Sequence, residues 1–163
     1  MRDLMTYAKI CMQELDAIGI KYGKILRWEV NTRAKSRWGQ CCTVPGGFTI
    51  NINVDLLDEN ISDEGLKNTI IHELLHSVKG CHGHDKNWKR YAAMVNRAYG
   101  YNIKRCSSEE EKGVHRDKEQ FAKYILECKV CHAKFYMQRM CGSVRNPELC
   151  HHIGCGGSLI RIL

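Results

Sequence analysis

The sequence predicts an α+β fold: a short sheet with helices packed on it, followed by a small cysteine-rich module. Three observations carry this. Apolar residues recur at three- and four-residue intervals from Leu4 to Ile18, and again through Ile70, Ile71, Leu74, Leu75 and Val78. Apolar and polar residues alternate from Phe48 to Val54, just after the turn signal Pro45-Gly46-Gly47. A C-x-x-C pair, Cys128 and Cys131, opens a C-terminal segment with too few large apolar residues to fold unaided.

Length and composition agree. The chain has 163 residues and 44% hydrophobic content, enough for one core domain plus a small module. No stretch approaches the length of a membrane span. From Met1 to Gly23 the charges of Arg2, Asp3, Lys9, Glu14, Asp16 and Lys21 interrupt the apolar residues, unlike the core of a signal peptide. The expectation is a cytoplasmic protein with no membrane association, whose ten cysteines stay reduced and available to metal.

Taken in order, Leu4, Tyr7, Ala8, Cys11, Met12, Leu15 and Ile18 form the face of an amphipathic helix ending near Gly19. Lys24 to Asn31 alternates weakly and reads as a strand. Trp38 to Thr43 and Phe48 to Val54 read as the two arms of a hairpin. Cys41 and Cys42 lie on that hairpin. Adjacent strand residues point to opposite faces, so the two cannot share a metal and are expected as buried thiols. The basic cluster Arg33, Lys35 and Arg37 reads as a solvated loop, with contact to substrate or a DNA backbone as the alternative.

The acidic stretch Asp55 to Glu64 leads into a helix with Ser62 as N-cap, running to about Ser77. Ser77 to Gly83 reads as a loop. A second helix follows, with Trp88, Tyr91, Ala92 and Val95 at helical spacing and His84 near its start. Asn102 to Gly113 is polar and charged with no periodic apolar residue. The expected organisation is a domain over 1–105, a linker over 106–113 and a second module over 114–163.

The first helix after the hairpin carries His72-Glu73-Leu74-Leu75-His76, an H-E-x-x-H signature. Positions i and i+4 share a helix face, so His72 and His76 can aim both imidazoles at one zinc ion. Glu73 then lies beside the metal, where a carboxylate can take a proton from water acidified by it. A catalytic zinc takes a third protein ligand. His84, near the start of the next helix, is favoured, and His82 is the alternative.

With these residues in place, a family resemblance becomes visible. The run from Asn31 through Arg37-Trp38-Gly39-Gln40-Cys41, then Phe48-Thr49-Ile50-Asn51-Ile52, the H-E-x-x-H signature and His84-x-x-x-Trp88-Lys89 resemble the SprT-like zinc metallopeptidases. These are small gluzincin-like proteins that include the eukaryotic Spartan protease, and the likeness runs from about Asn31 to the C-terminus. It implies a third ligand at the histidine four residues before an aromatic, which is His84. It implies a zinc-dependent endopeptidase whose protein or peptide substrates are associated with DNA. By the same analogy, the strand from Phe48 to Val54 would bind an extended peptide by strand addition. Asp85 stands where the family commonly has glycine.

The C-terminal module reads as a zinc ribbon, often present in that family. Cys128, Cys131 and Cys155 supply three ligands. His152 is favoured as the fourth because its two-residue gap to Cys155 repeats that of the first knuckle. Cys150 is the alternative, and Cys141 a weaker one. Two zinc ions are therefore expected, one catalytic and one structural. Val114 to Leu163 carries eight Lys or Arg against four Asp or Glu, and the preceding residues seventeen against fourteen. This modest basic excess is compatible with DNA binding by the ribbon. The alternative to an enzyme is a catalytically silent scaffold that binds nucleic acid through the ribbon.

Overall fold

The computed structural model describes residues 1–34, 36–114 and 118–163. Lys35 of the expected basic loop and residues 115–117 lie outside that description. The chain divides into two compact units, Met1–His115 and Arg116–Leu163. Among the described residues, no helix is long and apolar enough to cross a membrane.

In the first unit, α1 spans Leu4–Ala17. It starts where the Asp3 carboxylate accepts the N–H groups of Met5 and Thr6, and buries Leu4, Ala8, Cys11 and Leu15. Three strands form one sheet: β1 (Ile25–Asn31), β2 (Gly39–Val44) and β3 (Gly47–Asn53). Strand order is β1-β3-β2, with β1 parallel and β2 antiparallel to β3. The β2–β3 hairpin turns at Pro45-Gly46, where Gly46 has φ +84°, a conformation that penalises any residue with a Cβ. Its register pairs Cys41 with Ile50 and Val44 with Gly47.

Two expectations are corrected in the sheet. The strand from Phe48 is expected to be the edge strand that takes a peptide, but β3 is central: β1 and β2 are the two edge strands, and β2 is the one that lines the cleft with Glu73. Cys41 and Cys42, expected as buried thiols, are half-buried, because an edge strand is covered on one side only. Of the alternating positions, Ile50 and Ile52 are fully buried. The strand stops at Asn53, and Val54 begins a 3-10 turn. Asn53 is buried and satisfied. Its Oδ1 accepts the N–H of Asp55, while its Nδ2 donates to the carbonyls of Ala34 and Arg37 at 2.8 and 3.1 Å. One amide side chain thereby ties the loop bearing Arg37 to the sheet.

The H-E-x-x-H helix, α2, spans Glu64–His76, and α3 spans Lys86–Tyr99. Asp63, not Ser62, is the residue immediately before α2. The Ser62 hydroxyl nonetheless accepts the Glu64 N–H at 3.2 Å, and Asp63 pairs with Lys67. Leu66, Ile70, Ile71, Leu74 and Leu75 of α2 meet Leu15, Ile50, Ile52, Trp88 and Val95 in one apolar core. Burial of such side chains is worth about 1.5–3 kcal/mol each, which makes α2 the most firmly anchored element of the unit.

The segment expected as a linker, residues 106–113, packs on this core. Ile103, Lys112 and Val114 are buried. The Trp38 indole N–H donates to the Ser107 carbonyl, and the Lys112 ammonium donates to the Gly65 carbonyl of α2 at 3.3 Å. Its anchors are few and non-periodic, and one is the aliphatic stem of a lysine, so composition alone reads as loop.

The second unit holds β4 (Tyr124–Cys128), β5 (Lys134–Met137) and β6 (Leu159–Arg161) in an antiparallel sheet of order β5-β4-β6. Its core is small: Leu126, Cys128, Val144 and Leu159, with Tyr124, Ala133, Phe135, Met137, Cys141 and Cys150 packed against them.

Candidate metal centre and active-site cleft

On α2 the side chains of His72 and His76 project from one face, and the loop after the helix returns His84 to meet them. The three Nε2 atoms converge. His72 Nε2 lies 3.3 Å from that of His76 and 3.0 Å from that of His84. The Nδ1–H groups of His72 and His76 donate to the carbonyls of Lys104 and Cys81, each at 3.1 Å. That leaves the two Nε2 lone pairs facing inward, an arrangement repulsive by itself and favourable around a cation. A tetrahedral zinc with Zn–N near 2.05 Å separates its nitrogens by about 3.3 Å, so the cluster fits the ion in size and in tautomer.

Burial accounts for the electrostatics. It holds all three imidazoles below the usual histidine range, His72 at about 3, with the neighbouring histidines adding to the effect for His72. The neutral form is the one that binds metal. His82, the alternative third ligand, lines the cleft but lies outside the cluster. His84 joins the cluster: Asp85 caps α3, accepting the Trp88 N–H at 2.9 Å, and so fixes the residue just before it. Asp85 thus does by side-chain capping what a glycine does not. Trp88, fully buried, packs its ring against all three imidazoles, 4.6 to 5.7 Å between centroids.

Glu73 shares that cleft with the histidines and lies against Gly39 of β2. It is 6% exposed, and burial pushes its carboxyl up to about 7 against the opposing pull of the Cys41 backbone N–H, Arg37 and Lys112. A cleft of about 410 Å³ is lined by Arg37, Gly39, Cys41, Glu73 and the three histidines. Burial, and then the charge of Glu73, push the Cys41 thiol up to about 12.

Sequence reasoning missed Gly39. A Cβ there would stand 2.6 Å from Glu73 Oε1, 2.7 Å from its Cγ and 2.9 Å from Thr69 Cγ2. Strand β2 approaches α2 this closely only without a side chain at that point. Gly39→Ala is expected to displace the Glu73 carboxylate and, if Glu73 serves as the base of a hydrolase, to cut hydrolysis by about 100-fold, since small misplacements of a catalytic group cost that much. Metal content of the protein, measured alongside, stays unchanged. Wild-type turnover in Gly39→Ala would show that the close approach is dispensable.

In the second unit Cys128, Cys131, His152 and Cys155 bring their ligand atoms within 4.8 Å of one another. Cys131 Sγ is 3.1 Å from His152 Nδ1 and 3.4 Å from Cys155 Sγ, and Cys128 Sγ is 3.4 Å from Cys155 Sγ. A tetrahedral zinc with these ligands sets them about 3.5–3.8 Å apart, close to the observed spacing. The backbone N–H groups of Cys131 and Val130 help pull the Cys128 thiol down to about 6, favouring thiolate. Gly157 lets the chain pass this sulfur, since a Cβ there would sit 2.5 Å from it. Cys150 and Cys141 are elsewhere: Cys150 Sγ contacts the Asn146 carbonyl, and Cys141 Sγ the Ser143 hydroxyl.

Fold and centre together describe a mixed α/β domain presenting a three-histidine cluster and a buried glutamate in one cleft. A sequence model of the SprT-like family matches residues 11–107, more than half of the chain. The protein therefore belongs to the SprT-like family, which is associated with zinc metallopeptidases. No curated protein matches it.

Proposed function

We propose that the first unit is a zinc-dependent endopeptidase. His72, His76 and His84 hold the ion through Nε2, and Glu73 is the general base. The observation that carries the reading is the convergence of three inward-facing Nε2 atoms beside a buried carboxylate in one cleft. Zinc held there supplies Lewis acidity, lowering the pKa of water and polarising a carbonyl. Glu73 accepts the proton of the attacking water and returns it to the leaving amine nitrogen, and a carboxyl raised by burial is suited to both transfers near neutral pH. The outer edge of β2, next to Glu73, offers main-chain groups to an extended peptide in the manner of an added strand.

The second unit is read as a zinc ribbon held by Cys128, Cys131, His152 and Cys155. We assign it the recruitment of DNA, so that the substrates are DNA-associated proteins in the cytoplasm. The excess of eight Lys or Arg over four Asp or Glu from Val114 to Leu163 supports that assignment.

The test is hydrolysis of a small basic DNA-binding protein by the zinc-loaded full chain, with and without single-stranded DNA, before and after chelation and zinc return. Products that vanish with chelator and return with zinc are expected, with higher yield when DNA is present. Products indifferent to zinc would sink the peptidase, and products indifferent to DNA would remove the DNA role only.

A further inference from the structure

Glu73 faces two cavities. The first is the metal cleft. The second, of about 280 Å³, lies between the residues preceding β2 and the segment 104–107, and it shares Arg37, Gly39, His72 and Glu73 with the first. The two therefore adjoin at these residues.

Its lining is dominated by cations: Arg37, Lys104, Arg105 and Lys112, against the single carboxylate of Glu73. Lys104 is paired with Glu111. Arg37 and Arg105 have no hydrogen-bonded or ion-paired partner for their guanidinium groups among the described residues. Lys112 is 7% exposed, and the hydrogen bond its ammonium makes is to the Gly65 carbonyl. A recess holding this excess of positive charge, with the guanidinium of Arg105 unpaired and that of Arg37 near Glu73 but not hydrogen-bonded to it, is complementary to a carboxylate.

Position selects the occupant. A peptide laid along β2 sends alternate side chains to opposite faces. The second cavity adjoins the cleft at Arg37, Gly39 and Glu73, so a side chain on one of those faces, next to the bond at Glu73, is the group of such a peptide placed to enter it.

We propose that this second cavity is an anion-binding subsite of the cleft, which selects an aspartate or glutamate side chain next to the bond cleaved. The inference rests on the peptidase reading for the identity of its occupant. Arg105 and Arg37 supply the charge-assisted contacts, and Lys112, whose ammonium burial lowers to about 8, adds positive charge to the lining at neutral pH and below.

The experiment uses the full chain and unstructured peptides in which Glu, Gln, Lys or phosphoserine is scanned through successive positions. Cleavage by the zinc-loaded chain is read by mass spectrometry, and binding to its Glu73→Gln variant by fluorescence anisotropy. At one position Glu is expected to bind at least about tenfold tighter than Gln, the size of one or two charge-assisted hydrogen bonds, with Lys weaker still. Arg105→Glu should reverse the order of Glu and Lys, and Arg105→Gln should flatten it. Thermal melts exclude misfolding, to which an exposed arginine is little exposed as a cause. Equal binding of Glu, Gln and Lys, or an order that survives Arg105→Glu, overturns the subsite. So does a single-stranded oligonucleotide that displaces the peptide and loses more affinity than it does in Arg105→Glu, which would assign the cations to phosphate. Zinc-dependent cleavage without acidic preference removes the subsite and leaves the peptidase standing. Acidic preference in binding without any Glu73-dependent cleavage does the reverse.

Discussion

Glu73→Gln is expected to lower kcat/KM for protein hydrolysis by about 10²–10⁴-fold, the range of a lost general base, while zinc content and melting temperature stay close to wild type. Gln matches Glu in shape, so it still fits between Gly39 and Thr69, where a Cβ on Gly39 would meet the side chain at under 3 Å. The three-histidine cluster does not include Glu73, so the metal loses no ligand. Only the capacity to take and return a proton is removed. The measurement is kcat/KM and bound zinc on the same preparation. Undiminished hydrolysis would mean that another group is the base, and loss of zinc would mean that Glu73 helps hold the ion. A silent scaffold would keep its DNA binding in this variant and have no hydrolysis to lose, so the same protein separates enzyme from scaffold.

Cys155→Ser is expected to unfold the second unit and leave the first intact. The core cluster of that unit is four buried side chains with half-buried neighbours, and Ile125 is buried beside them, far short of what a segment from Arg116 to Leu163 needs to offset its chain entropy. Structural zinc contributes on the order of 10 kcal/mol in such modules, and removing one thiolate withdraws most of it. The sequence provides a clean readout, because Trp28, Trp38 and Trp88 all lie in the first unit. Tryptophan fluorescence should be unchanged. The amides of Ile125, Leu126 and Leu159, protected when folded, should exchange at the rate of an open chain. Retained protection in Cys155→Ser would show that packing suffices and that the four-residue cluster is not what folds the unit.

What could be read along the chain was whatever depends on near neighbours. Helix periodicity placed His72 and His76 on one face, and a two-residue gap placed Cys128 beside Cys131 and His152 beside Cys155, because four residues of helix or one knuckle turn set those distances locally. The hairpin was legible for the same reason, through Pro45-Gly46. Three things required the tertiary structure. That β3 is central and not an edge strand depends on β1 pairing parallel to it, a long-range contact that no alternation pattern encodes. The close approach of Gly39 to Glu73 joins a strand and a helix far apart in sequence, and a lone glycine beside a tryptophan carries no sign of it. The residues up to Gly113 belong to the first unit because Ile103, Lys112 and Val114 find a core to enter, and sparse anchors leave no periodicity to detect. The sequence by itself determined the chemistry of the ligands and their local geometry. The tertiary structure alone decided which groups from separate elements face them, because those contacts follow from packing one surface on another.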